Sequence, residues 1–214
     1  MSIGILVGGS GEEYKKALNK HDHWIGVDRG ALHLIKNGVS PHLSIGDFDS
    51  VSINELTTIK EHSKEWMHLP KEKADTDSEA AVLEAAKRYP NKDIYFYGGT
   101  GGRVDHLLQN IYMVLQPRFQ TVIHRFTMKD NQNTIRFYQP GQYTILKEED
   151  KQYFSVICLT NVEELNINHA KYKLEKMDVS FPRGYISNEF EEETANVSFK
   201  SGIVCVIQSR DEEK

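Results

Sequence analysis

The chain has 214 residues, 39% of them hydrophobic and 27% charged, with a formal net charge of −5. These values fit a globular protein of one large domain or two small ones. The acidic balance argues against polynucleotide binding as the main task, because a polyanion asks for a basic face. A nucleotide stays open, since its phosphates need only a local cation and a few donors.

The first ~130 residues alternate between strand and helix patterns. Strands are predicted at 3–7, 24–27, 43–45, 66–69, 94–97 and 121–126, and helices at 12–19, 31–37, 53–61, 78–88 and 104–115. Thr76 and Glu79 form a capping box for the fourth helix. Pro90 and Pro117 follow the fourth and fifth helices, where they block continuation. Such alternation implies a parallel sheet with helices on both faces, a three-layer α/β domain.

Beyond Asp130-Asn131-Gln132-Asn133 the helical period disappears. Short strand patterns follow at 134–138, 142–146, 153–159, 164–167, 172–174, 194–199 and 203–208. Pro140-Gly141, Pro182-Arg183-Gly184 and Ser201-Gly202 read as turns between them. This spacing predicts a small antiparallel β-sandwich. The two domains are placed at 1–130 and 134–214, and 211–214 is expected to be a frayed tail.

Cys158 and Cys205 each sit in an apolar run and are expected to be buried and reduced. The N-terminal apolar run is short and lacks a basic start, and no stretch approaches the roughly 20 apolar residues of a membrane span. A cytoplasmic location without membrane attachment is the expectation.

Ligands of open parallel sheets sit at the carboxyl ends of the strands. Asp28 closes the second predicted strand. Asp47 and Asp49, in Gly46-Asp47-Phe48-Asp49-Ser50, close the third, and Asp75 and Asp77 follow the fourth. In an extended segment side chains at i and i+2 point the same way. Asp47 and Asp49 are therefore expected to converge, with Phe48 packed behind. Carboxylates gathered at one edge repel unless a cation holds them, and Mg²⁺ suits sparse carboxylates plus phosphate oxygens. Gly98-Gly99-Thr100-Gly101-Gly102-Arg103 follows the fifth strand. Its glycines let backbone N–H groups approach phosphate, and Arg103 can clamp phosphate oxygens with its planar fork.

Each feature has a plainer role when taken singly. Asp-x-Asp is commonly a turn, Asp75 and Asp105 can serve helix N-termini, and Gly8-Gly9-Ser10-Gly11 is either a tight turn or a phosphate-facing loop. Their placement at one edge favours a metal-nucleotide enzyme. The P-loop, protein-kinase and dinucleotide-binding motifs are absent, as is any zinc cluster. A nucleotide-sugar transferase and a catalytically silent ligand-binding module remain as alternatives.

Gly46-Asp47-Phe48-Asp49-Ser50, Thr76-Asp77 and Gly99-Thr100-Gly101-Gly102-Arg103-Val104-Asp105-His106 resemble the thiamin pyrophosphokinase family in sequence and order. The stretch 130–141 and Ile186-Ser187-Asn188-Glu189-Phe190 fit it too, so the resemblance covers almost the whole chain. It implies an α/β catalytic domain followed by a thiamin-binding sandwich. It also implies a homodimer with sites between subunits, and transfer of pyrophosphate from ATP to thiamin with release of AMP. Under it, Asp47, Asp49 and Asp77 are the Mg²⁺ carboxylates. Asp28, Lys73, Gly99, Thr100, Gly101, Gly102 and Arg103 bind ATP, and Asp28 also stands close enough in role to join the metal. Asp105 orients the thiamin hydroxyl or accepts its proton. Tyr172, Ser187 and Asn188 contact thiamin, Tyr172 by stacking on a flat cation. Two departures stand out. The family's Lys-Asp-x-Thr-Asp reads Lys73-Ala74-Asp75-Thr76-Asp77, and its Asp-Gly-Gly reads Asp28-Arg29-Gly30.

Overall fold

The structure, a computed structural model, describes residues 2–9 and 13–212. The chain divides into two compact units, residues 1–131 and 132–214.

The first unit is α/β. Its strands are β1 (Ser2–Leu6), β2 (His23–Val27), β3 (Leu43–Gly46), β4 (Trp66–His68), β5 (Asp93–Tyr97) and β6 (Phe126–Lys129). They form one sheet in the order β6-β5-β1-β2-β3-β4, parallel throughout. The helices are α1 (Arg29–Lys36), α2 (Ile53–His62), α3 (Asp77–Arg88) and α4 (Val104–Tyr112). From β1 the chain steps outward through β2, β3 and β4, then returns to place β5 on the other side of β1. The reversal between β1 and β5 opens the crevice in which such sheets bind ligands.

Burial explains the layers. The five residues of β1 and of β2 are each buried after the first, as a strand covered on both faces requires. Gly26 lets α1 lie close: a Cβ there would stand 2.3 Å from the Ala31 Cα. Leu34 of α1 joins Leu6, Trp24 and Tyr97, while Ala31 and Leu32 pack with Phe48 and with Ile59 of α2. Ala81, Val82 and Ala85 of α3 are buried, and α3 lies against β1, β2, β3 and β5.

The second unit is a β-sandwich. Its strands are β7 (Asn133–Tyr138), β8 (Gly141–Leu146), β9 (Tyr153–Cys158), β10 (Val162–Asn168), β11 (Leu174–Val179), β12 (Arg183–Asn188), β13 (Thr194–Phe199) and β14 (Val204–Ser209). One sheet runs β12-β9-β14-β7, the other β11-β10-β13-β8, all antiparallel. Phe154, Val156, Val206, Leu165, Ile167 and Val197 close the core between them. Cys158 and Cys205 are buried and free. Cys158 pairs across the ladder with Val204, so the next residue, Cys205, points to the opposite face of the sheet.

Five sequence expectations are corrected. The helix expected at 12–19 is a 3₁₀ turn, Glu13–Ala17; Glu12, like Ser10 and Gly11, lies outside the described residues. The expected helix 104–115 stops at Tyr112 and tightens into a 3₁₀ turn, Met113–Leu115. The strand expected at 121–126 lies instead at Phe126–Lys129. Consecutive Val122 and Ile123 are both buried where a 3₁₀ turn, Ile123–Arg125, begins, and the Arg125 guanidinium donates to the carbonyls of Tyr89 and Lys92. β11 begins where the expected 172–174 strand ends, because a register shift and a left-handed Lys176 (φ 44°) break its alternation. Pro182-Arg183-Gly184 reads as a turn, yet residues 183 and 184 open β12. It is an exposed edge strand whose only buried residue is Asn188, so it carries no apolar signal. Asp211 and Glu212 lack regular structure, and the rest of the expected tail lies outside the described residues.

Candidate active site

The carboxyl edge of the parallel sheet gathers the acids. Asp28 follows β2, Asp47 follows β3, and Asp77 opens α3. One carboxylate oxygen from each lies within 4.8 Å of the others, and all three residues are half-buried.

Local backbone builds this trio. Asp28 is the residue before α1 and adopts φ 49°, ψ −121°, a sparsely populated conformation for a residue with a Cβ. Its side chain does not cap its own helix. Instead Oδ1 accepts the Phe48 N–H at 3.0 Å. Gly46 makes room: at φ 154° it is suited to glycine, and a Cβ would stand 1.9 Å from that same Asp28 oxygen. Thr76 and Glu79 cap α3 reciprocally, which fixes Asp77 in the first turn.

The expected partner of Asp47 was Asp49, yet Asp49 is exposed and outside the trio. The cause is Phe48, whose φ of 55° breaks the extended alternation while its ring enters the core. The Asp49 N–H donates to Asp47 Oδ1 at 3.0 Å and so orients Asp47. Asp75 is also elsewhere: Arg118 Nη1 donates to its Oδ2 at 2.7 Å and holds its carboxyl below the usual range.

Three negative charges so close raise the question of what balances them. Burial, then the charge of Asp77, pushes the Asp28 carboxyl up to about 7. Lys73 supplies one positive charge, its Nζ donating to Asp77 Oδ1 at 2.7 Å. An oxygen-only donor set of this kind fits a hard divalent cation.

The glycine loop follows β5 on the same edge. Gly98 (φ 76°) touches the loop after β1: a Cβ on Gly9 would stand 1.9 Å from the Gly98 carbonyl oxygen. The buried Asn110 of α4 donates to the Gly99 carbonyl at 3.0 Å. Thr100 is half-buried, and Gly101 and Gly102 are exposed. Arg103 donates to Asp105 through Nε (3.1 Å) and Nη2 (2.6 Å), both side chains being largely exposed. Arg103 holds the Asp105 carboxyl down at about 2, which makes Asp105 a poor proton acceptor near neutral pH.

In the sandwich, the three residues of the sequence expectation lie together. Asn188 is buried and its amide makes three hydrogen bonds to backbone. Oδ1 accepts the N–H groups of Tyr172 (2.9 Å) and Glu189 (3.0 Å), and Nδ2 donates to the Tyr172 carbonyl at 2.8 Å. Tyr172 thereby projects its exposed ring. Ser187 is left-handed (φ 55°) at the bulge of β12, with its N–H on Ser155 Oγ. Asn188 positions the aromatic side chain, then, while Tyr172 and Ser187 are the groups left facing outward.

Sequence reasoning did not find Gly46, Asn110 or the wider role of Glu79. Only Gly46 had a signal, as the glycine directly before the acid pair.

Fold and site together define a phosphate-handling α/β protein: an acidic trio and a glycine loop at the ligand-binding edge of a parallel sheet, with a sandwich appended. Comparison with known proteins makes this specific. Residues 14–124 match the thiamin pyrophosphokinase catalytic domain, and residues 142–204 match the thiamin pyrophosphokinase vitamin B1 binding domain. The thiamine pyrophosphokinase of Bacillus subtilis is 35% identical over 195 residues, covering 90% of each chain. A crystal structure of a thiamin pyrophosphokinase family protein from Enterococcus faecalis superposes with a TM-score of 0.93 at 39% identity, over 99% of this chain and 100% of that one. The Candida albicans enzyme, at 17% identity, shares the fold with a TM-score of 0.81 over 98% and 89% of the two chains. The chain belongs to the thiamin pyrophosphokinase family.

Proposed function

We propose that this chain transfers the pyrophosphoryl group of ATP to the hydroxyethyl oxygen of thiamin, giving thiamin diphosphate and AMP. The observation that carries the residue assignment is the Asp28, Asp47 and Asp77 trio beside the two glycine loops. The thiamin oxygen bonds to the β-phosphorus, the bond from that phosphorus to the oxygen bridging the α-phosphate breaks, and the hydroxyl proton is lost. Such transfers depend mainly on positioning and charge stabilisation.

Asp28, Asp47 and Asp77 would hold Mg²⁺, which when bound neutralises triphosphate charge. Asp49 orients Asp47. Lys73 holds Asp77, and its ammonium would meet the incoming phosphates. Gly99 to Gly102 offer backbone donors, and Arg103, preset by Asp105, takes charge on the transferred group. Tyr172 stacks on the thiamin cation and Ser187 donates to it, with Asn188 beneath them. This makes residues 1–130 the ATP and metal domain and 134–214 the thiamin domain.

Large apolar side chains of the sandwich are exposed, among them Tyr172, Phe181 and Ile186, which supports burial against a second copy and a homodimer with shared sites. No helix of the described residues is long and apolar enough to cross a membrane. Free thiols and the use of ATP support a cytoplasmic location. Chromatography of nucleotides after incubation with ATP, Mg²⁺ and thiamin tests the reaction. AMP should appear in step with thiamin diphosphate and only when thiamin is present; ADP instead would refute it.

A further inference from the structure

Glu79 is 2% exposed, and its two oxygens have different tasks. Oε2 serves the capping box, accepting from the Thr76 N–H (2.8 Å) and hydroxyl (3.1 Å). A helix cap needs no more than this. Oε1 collects three further donors: Gln109 Nε2 of α4 (3.0 Å), Gln116 Nε2, and Arg118 Nη2 (3.1 Å). Arg118 continues to Asp75, on the other side of Thr76 from Asp77. The segment 75–79 is thus clamped from both ends of the peptide that presents Asp77. The same carboxylate also grips α4, the helix that starts directly after Arg103.

Net stability is a poor account of this arrangement, because Arg118 and Asp75 are partly exposed, where an ion pair contributes little, and burial of the Glu79 carboxylate costs desolvation that offsets its attraction to Arg118. What such a network does supply is a fixed arrangement. Groups that orient metal-ligating side chains in this way change metal affinity when removed.

We propose that Glu79, Arg118 and Asp75 are positioning residues that set Asp77 toward Asp28 and Asp47 and register α4 against that site. The inference rests on the trio being the divalent-cation site. It assigns the network to metal and nucleotide geometry, with no part in thiamin recognition.

Mn²⁺ binding to the full chain without nucleotide, followed by water-proton relaxation, tests it. Asp77→Asn should lose the tight site. Arg118→Met should weaken Mn²⁺ by roughly 10- to 100-fold, and Asp75→Ala by a few-fold. Both should raise the Mg²⁺ needed for half-maximal turnover and leave the KM for thiamin unchanged. Arg118→Lys, which keeps the charge without the fork, should recover part of the affinity. A folded Arg118→Met chain that binds Mn²⁺ as the wild type does overturns the inference and leaves the trio's role intact. If Asp77→Asn also binds normally, the trio reading itself falls. Should Arg118→Met fail to fold, Asp75→Ala decides: wild-type Mn²⁺ affinity overturns the inference, and weakened affinity with unchanged thiamin KM supports it.

Discussion

Replacing Asp28 with Asn separates what the acidic trio does for stability from what it does for chemistry. In the metal-free protein the Asp28 carboxyl is raised from 3.8 to about 7, first by burial and then by Asp77. The folded state therefore binds a proton that the unfolded chain releases at lower pH. Stability falls as pH rises between the two values. A gap of about three pH units is worth roughly 4 kcal/mol at full effect. The site is partly open to solvent, so about half, ~2 kcal/mol, is a fair expectation. Asn is neutral throughout and its Oδ1 can still accept the Phe48 N–H. In EDTA, Asp28→Asn should match the wild type at pH 4 and exceed it by ~2 kcal/mol at pH 8. For a unit of this size that is roughly 5–10 °C in Tm. Thermal melts across pH 4–8 measure it, and the same variant should lose both turnover and stabilisation by added Mg²⁺. Equal melting of the two proteins at pH 8 would refute the reasoning, since it would mean that the trio carries no uncompensated charge.

Asp47→Ala or Asp77→Ala should lower turnover by roughly 10²–10³-fold while far-UV circular dichroism stays unchanged; unaltered Mg²⁺ dependence would remove that residue from the site. Gly46→Ala should disrupt the site without touching a ligand, costing ~1–3 kcal/mol of stability, because its Cβ meets Asp28 Oδ1. Asp105→Asn should keep turnover within a few-fold at pH 7–8, since a carboxyl held at about 2 takes no proton there; a loss beyond a thousandfold would restore it as a base. Asn188→Ala should cost ~2–3 kcal/mol by leaving the backbone groups of Tyr172 and Glu189 without their partner, and raise the KM for thiamin with little effect on that for ATP.

Much of this was legible in the residues, and what was missed has definable causes. The parallel half announced itself through apolar runs alternating with amphipathic ones, and Thr76 with Glu79 marked a helix start that the structure contains. β12 escaped because an edge strand that buries only Asn188 has no apolar alternation to read. The extended reading of 47–49 expects Asp47 and Asp49 to converge, but one left-handed residue, Phe48, breaks that alternation, and the acids that lie together are Asp47, Asp77 and Asp28, the last already a candidate to join the metal. No local pattern reports that sign of φ. Nor does one report that Glu79 receives donors from 30, 37 and 39 residues away. Asn188 is named by resemblance as a thiamin contact; the structure adds that its amide also ties down the backbone of Tyr172 and Glu189, which no local pattern reports.

The contact between the two glycine loops has a consequence for how the site can vary. Where Gly9 meets Gly98 the floor of the crevice is peptide backbone against peptide backbone, with no room for a side chain. A floor of that kind has no rotamer to change and no group to titrate. It is indifferent to pH and cannot be retuned by substitution without prising the loops apart. Under the proposed function, selectivity among nucleotides falls instead to the side chains assigned to the nucleotide, Lys73, Thr100 and Arg103. Laboratory evolution for a different phosphate donor should accordingly return changes at those side chains and leave the paired glycines alone.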